Sequence, residues 1–386
     1  MQFGLAPMEG VTDWPARIWF GQTSAPALMT TPFLRVTDTF PGRIIPALFC
    51  PELTWKAAPG GPGATGPRLI PQLMATNADD FARVAELILA MDAVGSVWVD
   101  LNCGCPSPVV VGGRAGSALL EHPDALGRFL ESVVGRLGGG RASVKVRTGF
   151  SAAAEFPEIL EVLRGQDLAQ VAVHGRTRLD RYLGYARRDL IQQAAMTLAE
   201  GGVPVVGSGD ICDLATADEA TAAAPTAQSW IIGRGALRNP WIFSELRTRR
   251  AVTLPVAAIT TALEVFSWLH ELYWNDGQAL LALWRDGVFE DCAEADPDQW
   301  ARLLERIAIR GAVPGRRACS RTKMIWNYLR SSLPLGMRAG EVLRATTAEA
   351  LTGAILGRAR DMQVLEFTMI YDRSWDWVYN GSGRNI

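Results

Sequence analysis

The sequence predicts a (β/α)8 barrel (a TIM barrel) followed by a C-terminal helical domain, and three observations carry that prediction. Short apolar runs alternate with amphipathic helical stretches from residue 1 to about residue 245. Those runs end in polar, cationic or glycine-rich residues, which is where barrel enzymes build their sites. After Asn239-Pro240 the alternation stops and the pattern is helical. The expected boundaries are 1–245 for the barrel and 246–386 for the helical domain, with an acidic insertion near 286–298. A doubly wound open sheet is the competing architecture for the first part. At 386 residues the chain has room for both units, since such barrels commonly run to about 250 residues.

Taken in order, the expected strands are Phe3–Met8, Ala27–Phe33, Arg68–Met74, Ser96–Asn102, Ala142–Arg147, Ala169–His174, Val203–Gly207 and Ser229–Gly233. The fourth stops abruptly in Asn102-Cys-Gly-Cys-Pro106. Alone it reads equally as a buried parallel strand followed by a turn, its cysteines acting as small apolar fillers. Helices are expected between strands, such as Ala78–Met91, with Phe81, Val84, Leu87 and Ile88 on one face, and Asp124–Leu137. In the last third, Val256, Ile259, Leu263, Phe266 and Leu269 recur at helical spacing.

Composition narrows the class. Apolar content of 48% with 20% charged residues is that of a globular protein. The N-terminus lacks a basic region followed by an apolar core, and no uncharged run reaches the roughly 18 residues of a membrane span. No membrane association and a cytoplasmic location are expected. Six unevenly spaced cysteines do not form a secreted disulfide framework, so free thiols are expected. Cys103 and Cys105 are too few for a closed zinc site, and no metal is expected. Only Lys56, Lys145 and Lys323 are lysine among 38 basic residues, so Lys145 inside an apolar strand stands out. A compact ammonium does not substitute for a planar guanidinium.

The strand ends read Pro7-Met8-Glu9-Gly10, Gln72, Asn102-Cys-Gly-Cys-Pro106, Lys145-Val-Arg147, His174-Gly-Arg-Thr177, Gly207-Ser-Gly-Asp210 and Gly233-Arg-Gly235. Each alone has an ordinary structural explanation. Converging on one barrel mouth, they suit a planar heterocycle with a phosphate tail. The last two turns match the phosphate site that follows strands seven and eight of such barrels, with Arg234 and a helix N-terminus assisting.

Seven stretches, in order, resemble the tRNA-dihydrouridine synthase family of flavoenzymes. They are Ala6-Pro-Met-Glu-Gly-Val-Thr-Asp13, Phe33-Leu-Arg-Val-Thr-Asp38, Pro71-Gln-Leu73, Asp100-Leu-Asn-Cys-Gly-Cys-Pro-Ser107, Val144-Lys-Val-Arg147, Val173-His-Gly-Arg-Thr177 and Ile231-Ile-Gly-Arg-Gly-Ala236. The Met-Glu-Gly-Val and Leu-Asn-Cys-Gly-Cys-Pro versions are most similar to the bacterial subfamily associated with the D-loop uridine at position sixteen. The resemblance implies FMN across the barrel mouth, with NADPH as reductant and tRNA as partner. Pro7, Met8 and Gln72 would contact the ring and Lys145 its N1/O2 edge. His174 would assist at the ring or the ribityl phosphate, and Gly207, Ser208, Gly209, Gly233 and Arg234 would hold the phosphate. Cys105 would be the general acid, protonating uracil C5 while the flavin gives hydride to C6. Cys103, on the same side but at another depth, would pack. Asn102 would orient the uracil or the flavin edge, and Arg35, Arg176 and Tyr182 would meet the flipped uridine or its neighbouring phosphates.

Four positions depart from the family pattern: Pro108, Val111, Ser208 in place of an Asn, and Arg181 in place of a Gly before Tyr182. The C-terminal third resembles the family's helical tRNA-binding domain, best at Lys323-Met-Ile-Trp-Asn-Tyr-Leu-Arg330, so Lys323 and Arg330 are expected on the tRNA. The net charge of −2 argues against nucleic acid, but residues 302–338 hold nine Arg or Lys against one acid, which restores a local basic surface. The Trp375-Asp-Trp-Val-Tyr379 tail has no assigned role. A monomer is expected. Two alternatives stay open: an FMN barrel oxidoreductase acting on a small molecule, and a tRNA-binding or folding factor without reductase activity.

Overall fold

In a computed structural model, residues 1–45, 49–56, 67–92, 97–289, 297–308, 313–333, 335–338, 340–362 and 366–369 are described. Ten parallel strand segments make one sheet: β1 (Gln2–Leu5), β2 (Leu28–Thr30), β3 (Leu34–Arg35), β4 (Arg68–Ile70), β5 (Gln72–Met74), β6 (Val99–Cys103), β7 (Ala142–Arg147), β8 (Val171–His174), β9 (Val205–Ser208) and β10 (Ser229–Ile232). They are the eight expected strands, two of them interrupted. Pro32 and Pro71 stand at the interruptions, because a proline has no N–H for the ladder. At the second break the Thr31 hydroxyl accepts the Gln72 N–H at 2.8 Å. β2 pairs with β4, β3 with β5, and β1 with β10, so the sheet closes into a TIM-type barrel and the open-sheet alternative falls.

Alternate residues separate the two faces. Inside, Ala6, Leu28, Ile70, Ala172, Val206 and Ile231 form an apolar floor. Five of these lie two positions before an expected site residue: Met8, Gln72, His174, Ser208 and Gly233. The strands therefore build a dry floor and set the polar groups one rung above it. Outside, Leu5, Leu73, Val99, Leu101, Val144, Val146, Val173 and Ile232 pack against the helices.

The barrel helices are α1 (Trp14–Ser24), α2 (Pro51–Lys56), α3 (Ala78–Met91), α4 (Pro108–Gly112), α5 (Pro123–Leu137), α6 (Phe156–Arg164), α7 (Arg188–Ala199), α8 (Leu214–Ala223), α9 (Arg234–Arg238) and α10 (Ile242–Thr248). In α3 the buried face is Phe81, Ala82, Val84, Ala85 and Ile88. Leu87, expected on that face, is 44% exposed, because at 100° per residue it falls beside the stripe set by Phe81, Val84 and Ile88.

The last third is built on α11 (Val256–Asn275), whose Val256, Ile259, Leu263, Phe266 and Leu269 are all buried. Around it lie α12 (Gly277–Arg285), α13 (Pro297–Ala308), α14 (Arg316–Leu329) and α15 (Ala348–Asp361). A two-stranded pairing of β11 (Thr253–Pro255) with β12 (Glu366–Thr368) ties its two ends together. No described helix is long and apolar enough to cross a membrane. Ser96, residues 290–296 of the acidic stretch and the Trp375–Tyr379 tail lie outside the described residues.

One core joins both parts. The Trp19 indole donates to the Ala262 carbonyl at 2.7 Å and packs edge-on against Phe266, with ring centroids 5.2 Å apart. Trp14 meets Tyr273 and Trp284 in the same manner. Behind the Met8–Asp13 turn, buried Arg17 donates to both Glu52 carboxylate oxygens and to the carbonyls of Thr12 and Phe49. An Arg17→Ala substitution strands the buried Glu52 charge and two carbonyl acceptors, and should destabilise the protein by about 3–5 kcal/mol, read as a lower urea midpoint.

Candidate active site

Strand register sets the order of groups around the mouth. Gln72 lies beside Asp100, Asn102 beside Lys145, Arg147 beside His174 and His174 beside Ser208. Gln72 Nε2 donates to Asp100 Oδ2 at 2.7 Å, and Asn102 Nδ2 donates to Gln72 Oε1 at 2.8 Å. Asn102 Oδ1 in turn accepts the backbone N–H groups of Gly104 and Cys105 at 3.1 and 3.0 Å. Burial pushes Asp100 up to about 6, against the opposing pull of Ser143, Gln72 and Lys145.

Strand β6 ends at Cys103, so alternation does not extend to Cys105. Cys103 turns to the helix-facing core and is buried there, whereas Cys105 packs at the mouth with Met74, Val110, Ala115 and Phe33. The expectation that the two share a side is corrected accordingly. Beyond Pro106 the chain folds back, and the Cys105 carbonyl accepts the Ser117 hydroxyl at 2.8 Å and the Ser117 N–H at 3.2 Å. Gly116 makes that return possible: its φ is +61°, and a Cβ would sit 2.8 Å from Val110 Cγ1. Burial raises the half-buried Cys105 thiol above its ordinary value, with Glu9 adding to the effect. Ser107 N–H, Arg147 and Lys145 oppose it without prevailing.

Lys145 is half-buried and its ammonium makes no hydrogen bond or ion pair among the described residues. Burial, and secondarily Arg147, pulls it down to about 8. Burial likewise lowers Arg147 to about 10. Arg147 donates to the carbonyls of Gly104, Thr177 and Arg181 at 2.6, 2.9 and 2.8 Å, fastening the Cys105 loop to the next one. His174 is held well below its ordinary value by burial and then by Arg147, Lys145, Arg176 and Arg234, so its ring is neutral at pH 7. Its Nδ1 lies 3.4 Å from Ser208 Oγ, and its buried Nε2 has no partner among the described residues.

Asp210, which the sequence reading left unassigned, organises the opposite side. It accepts Arg176 Nη2 on both oxygens at 3.0 and 2.8 Å and the Ala186 N–H at 2.6 Å, with Arg234 at 3.8 Å. Arg176, expected against the substrate, is buried beneath residues 183–186 and donates to the carbonyls of Leu183 and Gly184. That position closes it off from an incoming base; its Nη1 lies 3.9 Å from where a Cβ on Gly209 would stand and has no partner among the described residues. Gly209 has φ +134°, which disfavours any side chain. Gly207 is required by packing instead, since a Cβ there would meet the Trp230 ring at 2.6 Å. Gly233 precedes the first residue of α9, with Met8 Sδ 3.6 Å from its Cβ position.

Tyr182 is 47% exposed, with the guanidinium groups of Arg147 and Arg234 at 5.6 and 4.7 Å from its ring. Exposed Arg35 reaches toward Gly113, its Nη2 2.7 Å from a Cβ position there. Pro7 and Met8 are half-buried at the end of the first strand. Lys323 is half-buried on α14, and Arg330 at its end donates to the Arg338 carbonyl at 3.2 Å. The same helix reaches the mouth through Arg321, which donates to the carbonyls of Gly10 and Val11 and to Asp13 Oδ2. Of the departures, Pro108 opens α4 where proline is favoured, whereas Arg181 takes φ +49°, a conformation better suited to the glycine it replaces.

Fold and site together define a (β/α)8 oxidoreductase whose mouth sets a protonated thiol near an unpaired ammonium. A family model described as "Dihydrouridine synthase (Dus)" matches residues 4–273. The chain belongs to the dihydrouridine synthase family. It is 30% identical over 273 residues to the tRNA-dihydrouridine(16) synthase of Pasteurella multocida (strain Pm70), covering 69% of this chain and 82% of that protein. It is 35% identical over 251 residues to the enzyme of the same name from Escherichia coli O157:H7, covering 62% and 73%. Among solved structures it is similar to the old yellow enzyme from Trypanosoma cruzi at a TM-score of 0.45 and 10% identity, covering 66% of this chain and 90% of that one.

Lys145 offers a check on the site's electrostatics. A depressed ammonium costs stability in full below pH 8, and that cost is shed as pH rises from about 8 toward its ordinary 10.5. Lys145→Met should therefore stabilise the flavin-free protein by about 1–3 kcal/mol at pH 7. The advantage should shrink as thermal melts are repeated up to pH 10.

Proposed function

We propose that this chain reduces a specific uridine in the tRNA D-loop, at position sixteen, to 5,6-dihydrouridine, with FMN as its flavin and NADPH as its reductant. The observation that carries the reading is Cys105: a thiol at the barrel mouth, kept protonated by burial and held by Asn102 and Ser117.

The residues fit FMN. Among the described residues, Lys145 presents an ammonium with no hydrogen-bonding or ion-pairing partner, and His174 Nε2 and Arg176 Nη1 are buried polar atoms without partners. Pro7, Met8, Gln72 and Lys145 would hold the ring, and His174, Ser208, Gly209, Gly233, Arg234 and Arg176 the ribityl and phosphate. Gly207 would contribute through backbone alone. When bound, the flavin supplies the hydride equivalent that saturates uracil C6. Lys145 stabilises negative charge beside it, and the neutral His174 adds none.

Cys105 gives its proton to uracil C5, and burial keeps the thiol form available at neutral pH. Asn102 orients the loop that carries it. Tyr182, backed by two guanidinium groups, and Arg35 receive the flipped uridine and its neighbours. The helical third, through Lys323 and Arg330, tracks the tRNA backbone from the far side, and the enzyme works as a cytoplasmic monomer.

In a tRNA assay with NADPH, Cys105→Ala should lower dihydrouridine formation by about 10²–10⁴-fold while NADPH reduces the bound flavin at the wild-type rate. Full activity in the variant rules out the acid. A nucleotide-resolution map of dihydrouridine in tRNA from cells lacking the gene identifies the target; loss at another position removes the assignment to sixteen.

A further inference from the structure

The polar chain beneath Cys105 has an unambiguous direction at both ends. At one end the Gly104 and Cys105 backbone N–H groups can only donate, and both go to Asn102 Oδ1, filling its two acceptor sites. At the other end stands Asp100, buried, with Ser143 Oγ donating to Oδ1 at 2.5 Å and Gln72 Nε2 to Oδ2 at 2.7 Å. Between them Asn102 Nδ2 donates to Gln72 Oε1. An amide side chain can turn over and exchange its oxygen for its nitrogen. Here neither can do so without setting donor against donor or oxygen against oxygen.

We propose that Asp100 is a positioning residue: as the acceptor at the base of this chain it fixes the orientation of Gln72 and Asn102, and through them the place of the Cys105 loop. A consequence is that each amide keeps a second N–H beyond the chain, so both offer donors to the acceptor-rich edges of a flavin or a uracil. The charged and titratable groups acting on Asp100 are Lys145 on the neighbouring strand and the Cys103 thiol on its own. Its carboxyl, raised to about 6, remains largely ionised at pH 7. The buried carboxylate accepts from Ser143 and Gln72, so an apolar replacement removes the cost of a buried charge but leaves those two donors without their acceptor.

The inference rests on the functional reading above only for its activity arm. In the flavin-loaded protein, hydrogen exchange at the Gly104 and Cys105 amides reads the chain directly and needs no turnover. Asp100→Leu, which fills the space but cannot accept, should speed exchange at both amides at least tenfold and lower kcat for tRNA at least tenfold. It should leave the KM for tRNA within twofold. Asp100→Asn, which can still accept from Gln72, should keep both exchange and kcat within about threefold of wild type. Ser143→Ala, which leaves the chain intact, should behave likewise. Wild-type protection in Asp100→Leu, or equal damage in Asp100→Asn and Asp100→Leu, overturns the assignment. Should Asp100→Leu not fold, Gln72→Leu breaks the same chain one link later and must raise exchange tenfold, or the proposal fails. If wild type forms no dihydrouridine, the functional reading falls and the exchange arm still decides the role of Asp100.

Discussion

Each strand of this barrel sends alternate side chains to two different environments, and every group at the mouth depends on that alternation. On β6, Val99, Leu101 and Cys103 go to the helix layer while Asp100 and Asn102 go inside. On β7, Val144 and Val146 go out while Ser143, Lys145 and Arg147 go in. A one-residue slip in either strand would put charges among the helices and valines at the site. The apolar floor below the mouth makes the polar rung possible, because it keeps water from reaching these groups from the far end. It also depresses Lys145 and raises Asp100 by denying both their hydration.

The parts of this arrangement that were legible in sequence are the local ones. Eight strands, their polar ends and the helical switch after Pro240 follow from periods of two and 3.6 residues, which need no knowledge of partners. The breaks at Pro32 and Pro71 were readable too, since a proline cannot donate to a ladder, yet both runs read as continuous. Leu87 was misplaced because one apolar residue beside a stripe looks the same as one inside it.

What sequence did not disclose depends on pairs distant in the chain. Asp100 and Gln72 are 28 residues apart, and Asp210 meets Arg176 across 34. Nothing local distinguishes Asp210 from any acid after a strand, although its place after a Gly-rich turn was a usable signal. Arg176 follows the strand end at His174 by two residues, so its burial under residues 183–186 could not be inferred from position alone. Cys103 and Cys105 were paired by spacing, and that failed because the strand stops between them.

The seam between α1 and the last third carries a consequence for how the molecule is made. Trp19 near the N-terminus finds its hydrogen-bond acceptor 243 residues later, and Gln22 donates to the Phe289 carbonyl 267 residues on. β1 likewise waits for β10 before the ring is shut. On the ribosome, helix α1 therefore emerges with its apolar face uncovered and stays so until residues 262–289 have been made. Contacts of such separation make acquisition of the native state slow and leave an aggregation-prone interval. Expression of residues 1–245 alone would prolong that interval indefinitely, because the tryptophans of α1 would never meet the surface that covers them.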